Sequence, residues 1–309
     1  MLAKLDLAVP KEVLVDPQPF AVAVLDLQTR LVRHYARQYV NVDRQAFDRW
    51  LLSLIPHVVD VRHNTMYRHS VKNGDSLEIR FIQDGEIRTE KVRYLVGADG
   101  PFSMVRREFF SERIQPKRYL AVQYRFEAEH VCPKDVVDRC GVDFRKDYVG
   151  IFDPDLTDFY AWSIPKDEYL VLGAAIPFGD DVRRKFNLLK SRLENLGLRF
   201  EPPIRREAGQ LVRPLCCGSM FPGSNRVILI GESAGLISPS SAEGIGAALS
   251  SAWHLSDAFD INGFDAKRYH KNLRKLRWSL WLKIAKIPFM FHPMLRKYVM
   301  LSGLTTLHK

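Results

Sequence analysis

The sequence predicts a mixed α/β fold in which two domains are interleaved along the chain and the C terminus is helical. Three observations support this prediction. Two short apolar strands are each followed by glycine, an acidic residue and a helix. The stretch between them is mostly strand-like, which implies a second domain inserted into the first. The C-terminal residues instead repeat apolar side chains at helical spacing.

The middle of the chain is predicted to be mostly β and contains two strand pairs. The pairs are 20–27 with 31–40, and 77–82 with 87–92. The second pair forms a hairpin across Gln83-Asp84-Gly85-Glu86, because Asp-Gly is a favoured two-residue turn. A helix is predicted over 183–196, and it ends near Gly197.

The most informative segment begins with a buried strand at 227–230, which ends on Gly231 and Glu232. A second glycine pair, Gly244 and Gly246, opens an apolar helix predicted over 247–259. Glycines at a strand-to-helix junction let backbone N–H groups approach a phosphate, and a helix N terminus favours an anion. Glu232 stands where it can accept hydrogen bonds from polyol hydroxyls. The segment indicates a nucleotide cofactor, although an ordinary strand-turn-helix unit also fits the glycines alone.

A second segment repeats this arrangement. The apolar strand that starts at Arg93 ends in Gly97-Ala98-Asp99-Gly100, and a short helix with Ser103 and Arg106 follows. The two segments resemble the internal flavin motifs of FAD-dependent monooxygenases and reductases. The resemblance implies that Asp99 and Gly100 support the flavin site. It also implies that Gly231 and Glu232 contact the ribityl chain and pyrophosphate, with Glu232 in place of the usual Asp.

A third match is Asn41-Val-Asp43-Arg44 and the helical residues after it. Arg44 resembles the arginine that reaches the FAD phosphates, although a solvated helix face explains Arg44 equally well. The three motifs stand in the order of the family. The resemblance therefore implies non-covalent FAD binding, with Gly244 and Ile245 near the flavin ring. The implied cofactor-binding residues are Arg44, Asp99, Gly100, Gly231, Glu232, Gly235, Gly244 and Ile245.

FAD proteins of this type begin with a strand, Gly-x-Gly-x-x-Gly and a helix. No such glycine pattern precedes Asn41, and Gly244-Ile-Gly246 lacks a third glycine at the required spacing. The opening residues read as interior sequence. We therefore expect a flavoprotein chain that lacks roughly the first fifty residues, the size of one βαβ unit. We expect such a chain to bind FAD weakly or not at all.

The segment that begins at Phe159-Tyr160-Ala-Trp162 and continues to Gly173 matches a signature of geranylgeranyl reductases, with Ile164 in place of Phe. Tyr160 and Trp162 alternate along a strand, so they face one side and are predicted to line a substrate pocket. Packing of both rings in a sheet core fits the spacing equally well. Over nearly its whole length the chain resembles the CbrA-type flavoproteins of the geranylgeranyl reductase group.

This resemblance implies a Rossmann-like FAD-binding domain, an antiparallel-sheet substrate domain and a helical C terminus. The predicted FAD-binding domain comprises 41–115 and 216–265, the substrate domain 11–40 and 116–215, and the basic C-terminal region 266–309. Three functions follow. The first is a flavin reductase of an apolar, prenylated or aromatic substrate; the second is an FAD-dependent hydroxylase. The third is a remnant that cannot hold FAD. The sequence assigns no catalytic residue.

The composition is that of a soluble globular protein, with 46% hydrophobic and 27% charged residues. No apolar run reaches the roughly 18 residues of a membrane span, so a cytoplasmic protein is expected. The four cysteines show no CxxC spacing, and the nine histidines form no HExxH pattern. These patterns argue against a metal site.

The excess positive charge lies in the C-terminal segment. From Lys267 onward there are 11 Lys or Arg and no acid, whereas residues 1–266 hold 35 basic and 36 acidic residues. A stripe of helical spacing runs through this segment: Tyr269, Leu273, Leu276, Leu280, Ile284 and Ile287. With Trp278 and Trp281, the segment 267–297 predicts peripheral contact with an anionic membrane. The alternative is a helix packed on the body with a solvated basic face. No nucleic-acid-binding module accompanies the charge, so nucleic acid is not an expected partner.

Overall fold

The computed structural model describes residues 2–37, 39–133, 140–304 and 306–307. The chain divides into two compact units that alternate along the sequence. The first unit is Met1–Leu7, Ile55–Arg118 and Leu211–Lys286; the second is Ala8–Leu54, Tyr119–Gln210 and Ile287–Lys309. The predicted α/β class, with interleaved parts and a helical C terminus, is confirmed. The predicted domain boundaries remain a prediction, because a division by compactness does not show which residues hold a cofactor.

The helices of the described residues are α1 (Arg44–Ser53), α2 (Met104–Phe109), α3 (Ala128–Val131), α4 (Val182–Glu194), α5 (Ile245–Ser256), α6 (Ala266–Asn272), α7 (Arg274–Ala285), α8 (Ile287–Phe291) and α9 (Pro293–Ser302). The strands of the first unit are β3 (Thr65–Asn73), β4 (Ser76–Gln83), β5 (Glu86–Val92), β6 (Leu95–Gly97), β12 (Gly223–Ser224), β13 (Val227–Leu229), β14 (Phe259–Asp260) and β15 (Gly263–Phe264). The strands of the second unit are β1 (Ala21–Asp26), β2 (Leu31–Ala36), β7 (Lys117–Glu127), β8 (Tyr148–Phe152), β9 (Ala161–Lys166), β10 (Tyr169–Pro177) and β11 (Arg205–Arg213).

The first unit contains two three-stranded sheets. One is the antiparallel sheet β3-β4-β5. The other has the order β12-β13-β6, and its strands β13 and β6 run parallel. The predicted hairpin is confirmed: Gln83 pairs with Glu86, and both Asp84 and Gly85 have positive φ angles, 51° and 88°. Positive φ at both central residues is what the Asp-Gly turn supplies.

The second unit is built on a seven-stranded sheet of order β11-β7-β10-β9-β8-β1-β2. The predicted pair at 20–27 and 31–40 is confirmed as β1 and β2, although β2 already ends at Ala36. Strands β7, β10, β9 and β8 pair antiparallel, whereas β1 and β8 pair in parallel. One face of this sheet packs in a core with Phe186, Leu189 and Leu193 of α4.

Both predicted helices are present, and one of them ends earlier than predicted. The helix expected over 183–196 is α4, and Gly197 follows it with a φ of 102°. The helix expected over 247–259 is α5, which ends at Ser256. Phe259 instead enters β14, where its ring meets the edge of the Tyr94 ring at a centroid distance of 5.2 Å. Aromatic packing therefore ends this helix earlier than its apolar pattern predicts.

The helical spacing of the C-terminal segment is also confirmed, in α6 and α7. Tyr269, Leu273 and Leu280 are 0, 0 and 3% exposed and belong to the core of the first unit. Leu276 and Ile284 pack against the same core. The apolar stripe is therefore a packing surface. No helix among the described residues has the length and apolar character needed to cross a bilayer.

Candidate functional site

The two predicted flavin motifs lie side by side in the first unit. Leu229 of β13 is the partner of Gly97 in the parallel β6, so both strands end at the same edge of the sheet. The Ile230 N–H donates to the Gly97 carbonyl at 3.1 Å. The Ser233 hydroxyl lies 2.6 Å from the Gly97 carbonyl oxygen and 2.7 Å from that of Ile230. Ser233 thereby fastens one motif to the other.

The turn after β13 requires two of the predicted glycines. Gly231 has a φ of 57°, and a Cβ there would stand 3.1 Å from the Cβ of Ala248 in α5. Gly235 has a φ of 72°, and a Cβ there would stand 2.3 Å from the Ser219 carbonyl oxygen. The Gly231 N–H donates to the Ser251 hydroxyl at 2.8 Å. Gly231 therefore shapes the turn, and its N–H is bound to α5.

The second motif is organised around the start of α2. Asp99 Oδ2 accepts hydrogen bonds from the N–H groups of Met104, at 2.7 Å, and Val105, at 3.3 Å. Ser103 Oγ accepts the Arg106 N–H at 2.8 Å. Both side chains thus satisfy donors that a helix N terminus leaves unpaired. Gly100 has a φ of 74°, and nothing lies within 4 Å of the position of an added Cβ. The turn is therefore open to a ligand at Gly100.

Arg106 was noted in the sequence as part of the second motif, but no role could be assigned to it there. Its side chain is buried, and its guanidinium donates to four oxygens at 3.0 to 3.1 Å. The acceptors are the carbonyls of Ser233, Ser219 and Ile114 and the side-chain oxygen of Gln115. Burial lowers the pKa of Arg106 to about 10, so it is charged at neutral pH. The sequence could not indicate this role, because the Ser233 carbonyl that Arg106 binds lies 127 positions away along the chain.

One carboxylate oxygen of Glu232 is hydrogen-bonded to the backbone. Its Oε1 accepts the Val212 N–H at 2.9 Å. Burial raises the pKa of this carboxyl to about 7, and the Val212 hydrogen bond opposes that shift only in part. A group that titrates near neutrality therefore lies in the turn after β13.

We expect replacement of Glu232 by Gln to change how stability depends on pH. The unfolded carboxyl ionises near its ordinary pKa of 4.5, whereas the folded one keeps its proton up to about pH 7. The wild-type free energy of unfolding should therefore fall by about 1–3 kcal/mol between about pH 5 and pH 7.5 relative to the Gln variant. Urea unfolding of both proteins across this range measures the difference. Glu243→Gln, at an exposed position in the same region, is the control; a wild-type to Glu232→Gln difference independent of pH would contradict the assignment.

The N terminus of α5 is the open element of the site. Gly244 stands at its N-cap, and no side chain caps the helix. An added Cβ at Gly246 would meet nothing within 4 Å. The first N–H groups of α5, including that of Ile245, lack an intrahelical acceptor by geometry. These unpaired donors can bind an electronegative atom of a ligand, and we call this N terminus of α5 the cradle.

Arg44, Tyr160 and Trp162 belong to the second unit. Arg44 begins α1 and is exposed, and Asp43 caps this helix by accepting the Ala46 N–H at 2.8 Å. The predicted helical position is therefore confirmed. The contact of Arg44 with FAD phosphates remains a prediction.

Trp162 and Gly173 explain the spacing of the aromatic signature. Trp162 of β9 is the register partner of Gly173 in β10 and of Gly150 in β8. A Cβ at Gly173 would lie 2.3 Å from the Trp162 indole, so the ring lies across this glycine. The Tyr160 ring meets the Trp162 ring at 5.9 Å. The two aromatic rings form one patch, and its role in a substrate pocket remains a prediction.

Metal-binding chemistry has no candidate among the described residues, where no group of three or more His, Cys, Asp or Glu side chains is placed to hold an ion. Cys132, Cys140, Cys216 and Cys217 are all free thiols. The predicted site residues fall into a motif region in the first unit and, in the second unit, Arg44 on α1 and the aromatic patch of Tyr160 and Trp162.

Comparison with known proteins identifies the relatives of this chain. No protein-family model matches it. Protein CbrA from Escherichia coli O9:H4 (strain HS) is 37% identical over 298 residues, which cover 96% of this chain and 77% of that protein. The chain belongs to the CbrA family. Protein CbrA from Escherichia coli O157:H7 is likewise 37% identical, over 300 residues that cover 80% of its length.

Solved structures share the fold of this CbrA-family chain. A geranylgeranyl bacteriochlorophyll reductase-like protein from Thermoplasma acidophilum has a TM-score of 0.75 and 17% identity, covering 96% of this chain and 78% of its own. The p-nitrophenol 4-monooxygenase PnpA from Pseudomonas putida DLL-E4 has a TM-score of 0.63 and 14% identity, covering 93% and 77%. At such identities the likeness shows the fold alone. The CbrA-family chain therefore shares its fold with this reductase-like protein and with this monooxygenase.

Proposed function

We propose that this CbrA-family chain is part of an FAD-dependent oxidoreductase that reduces an apolar substrate of prenylated or aromatic character. The supporting observation is the motif region of the first unit. Two parallel strands end together and are joined by Ser233. Helix α5, whose N terminus has no side-chain cap, packs against the same turn through Ala248 and Ser251. This arrangement suits a dinucleotide.

The residues present fit the central part of FAD. Gly244, Ile245 and Gly246 offer backbone donors at a helix N terminus, and open space surrounds Gly100 and Gly246. Gly231 and Gly235 shape the turn between them. Arg44 is proposed to bind the phosphates of FAD. When bound, the flavin supplies hydride transfer, and the protein supplies position and electrostatics.

Glu232 is the titrating group of this region. Because burial raises its pKa to about 7, its carboxyl is available in both the protonated and the ionised form around neutral pH. Because Oε1 accepts the Val212 N–H, we place the proton on Oε2. In that form Oε2 would donate to a polyol hydroxyl of FAD, and in the ionised form it would accept a hydrogen bond from one. Glu232 can thus keep the hydrogen-bonding role of the usual Asp.

The aromatic patch of the second unit is proposed to contact the substrate. Trp162 is half-buried and offers apolar surface with an N–H at one end, whereas Tyr160 is 8% exposed and packs its ring against Trp162 from the interior side. The patch resembles the signature of geranylgeranyl reductases, which favours a reductase. An FAD-dependent hydroxylase is the alternative. Product analysis with and without oxygen separates them, because only the hydroxylase incorporates oxygen.

Flavin binding tests the proposal. We expect a version extended upstream by a strand-Gly-x-Gly-x-x-Gly-helix unit to bind FAD in a one-to-one ratio, because that unit supplies the adenosine site. The 309-residue chain alone should bind FAD at least about tenfold more weakly. Absorbance titration and equilibrium dialysis measure both affinities. An extended protein that is colourless, and stays so after FAD is added, would contradict the assignment of FAD as the cofactor.

Gly246→Val in the extended protein tests the cradle itself. The new side chain enters open space at the N terminus of α5 and should weaken FAD binding about tenfold or more by crowding the donors. Ser250→Val, in the same helix, is the matched control and should leave the affinity unchanged. Equal affinities of the two variants would place FAD elsewhere.

A further inference from the structure

Helix α7 has two faces of different character. Leu276, Leu280 and Ile284 face the core of the first unit. The opposite face carries Trp278, Trp281 and Leu282, which are 59, 37 and 46% exposed. The two indole rings stack on each other at 4.6 Å. Stacked tryptophans on a surface helix form an apolar patch of the kind that marks an interaction site.

Basic residues surround this patch. Lys271, Arg274 and Lys275 are exposed, and they precede Trp278 by seven, four and three positions. Arg274 and Lys275 lie in α7 with Trp278, and residues at these spacings share one helix face. Lys271 lies in the last turn of α6, before Leu273. We call this surface the Trp face: Lys271, Arg274, Lys275, Trp278, Trp281 and Leu282.

A groove adjoins the Trp face within the first unit. Its volume is about 560 Å³. It is lined by three basic side chains, both tryptophans, a methionine and a cysteine: Arg274, Lys275, Arg277, Trp278, Trp281, Met220 and Cys217. From Ala266 to the end of the chain there is no acidic residue. A negatively charged headgroup can therefore approach the groove without meeting a carboxylate of this segment.

We propose that the Trp face docks on an anionic phospholipid bilayer. Tryptophan and leucine insert at the boundary between headgroups and acyl chains, and the basic side chains bind the lipid phosphates. Charge complementarity selects this occupant, because basic residues and indoles share one face and acids are absent from the whole segment. The apolar stripe on the opposite face is buried, so attachment is shallow. The proposal does not depend on the proposed function.

Vesicle co-sedimentation tests the proposal on the full chain. One set of vesicles contains one part phosphatidylglycerol to two parts phosphatidylcholine, and the other contains phosphatidylcholine alone. We expect the protein to pellet with the anionic set only and to be released by salt, because exposed charges are screened within a Debye length. Replacing Lys271, Arg274, Lys275 and Arg277 by Gln should weaken binding at least a hundredfold, since each contact contributes about fivefold.

The matched charge control replaces Lys72, Arg88, Lys91 and Arg93, which are exposed on the first unit, by Gln. It removes the same charge and should bind like the wild type. Trp278→Ser combined with Trp281→Ser should weaken binding at least about tenfold and remove the blue shift of fluorescence on vesicle binding. Trp253→Ser, at a tryptophan 46% exposed, is its control. Thermal melts of each variant confirm folding.

Three results would overturn the proposal. The first is equal pelleting with neutral and anionic vesicles. The second is an equal loss of vesicle binding in the charge control, because net charge alone would then explain the binding. The third is self-association that both tryptophan substitutions abolish, without vesicle binding, because the Trp face would then be an interface between copies of this chain.

Discussion

Replacing Arg106 by Met should lower the free energy of unfolding by about 3–5 kcal/mol. Arg106 is 4% exposed, and its guanidinium donates to carbonyls from three separate segments, at Ile114, Ser219 and Ser233. Met fills part of the volume but donates no hydrogen bond. Each buried acceptor left without a partner costs about 1–3 kcal/mol. Urea unfolding followed by circular dichroism measures the loss.

Arg107→Met is the matched control for this prediction. Arg107 is the neighbouring residue in α2 and is exposed, so the same substitution should change stability by less than about 0.5 kcal/mol. Arg106→Lys keeps the charge but cannot present the same fork of donors, and an intermediate loss is expected. A cost below about 1 kcal/mol for Arg106→Met would mean that the carbonyls find other donors.

Replacing Arg296 by Met should destabilise the second unit by about 3–5 kcal/mol. Arg296 Nε donates to Asp26 Oδ2 at 2.7 Å, and the two side chains are 5 and 1% exposed. Asp26 Oδ1 accepts the N–H groups of Gln28 and Thr29, so its carboxylate also holds the turn after β1. Removal of one partner leaves the other charge buried and uncompensated. Equilibrium unfolding in urea gives the difference.

A double-mutant cycle separates the ion pair from the rest of the side chain. Asp26→Asn keeps an oxygen for the turn and removes the charge, and it should lose stability on its own. Combined with Arg296→Met it should cost less than the sum of the single changes, by about 1–3 kcal/mol, because no unpaired charge remains. Lys297→Met, at the exposed neighbouring position, is the control. Additive single effects would disprove the coupling.

Elements set by neighbouring residues could be predicted from the sequence. The hairpin across Asp84 and Gly85 depends on a local turn preference, and α4 depends on apolar spacing followed by Gly197. The strand-turn-helix nature of both motifs could also be predicted, since Gly97 and Gly231 follow short apolar strands. The two motifs lie side by side in the sheet, and this arrangement is consistent with the resemblance that was based on their order in the sequence. Local signals of this kind need no knowledge of distant partners.

Contacts between distant residues could not be predicted. The bonds from Arg106 to Ser233 and from Gly231 to Ser251 join residues 127 and 20 positions apart, and no spacing rule indicates them. The raised pKa of Glu232 depends on burial, which only the folded chain determines. The stripe from Leu273 to Ile284 shows the same limit. Helical spacing predicted the helix, but tertiary packing decided that the stripe faces the protein and the tryptophans face outward.

The contact between Trp162 and Gly173 has a consequence for how CbrA-family sequences can diverge. The indole occupies the space in which any side chain at position 173 would begin. A larger residue there is compatible with the sheet only if position 162 loses its indole. The dependence therefore has one direction: a side chain can appear at position 173 only after position 162 has lost its tryptophan, whereas position 162 can change while glycine remains at 173.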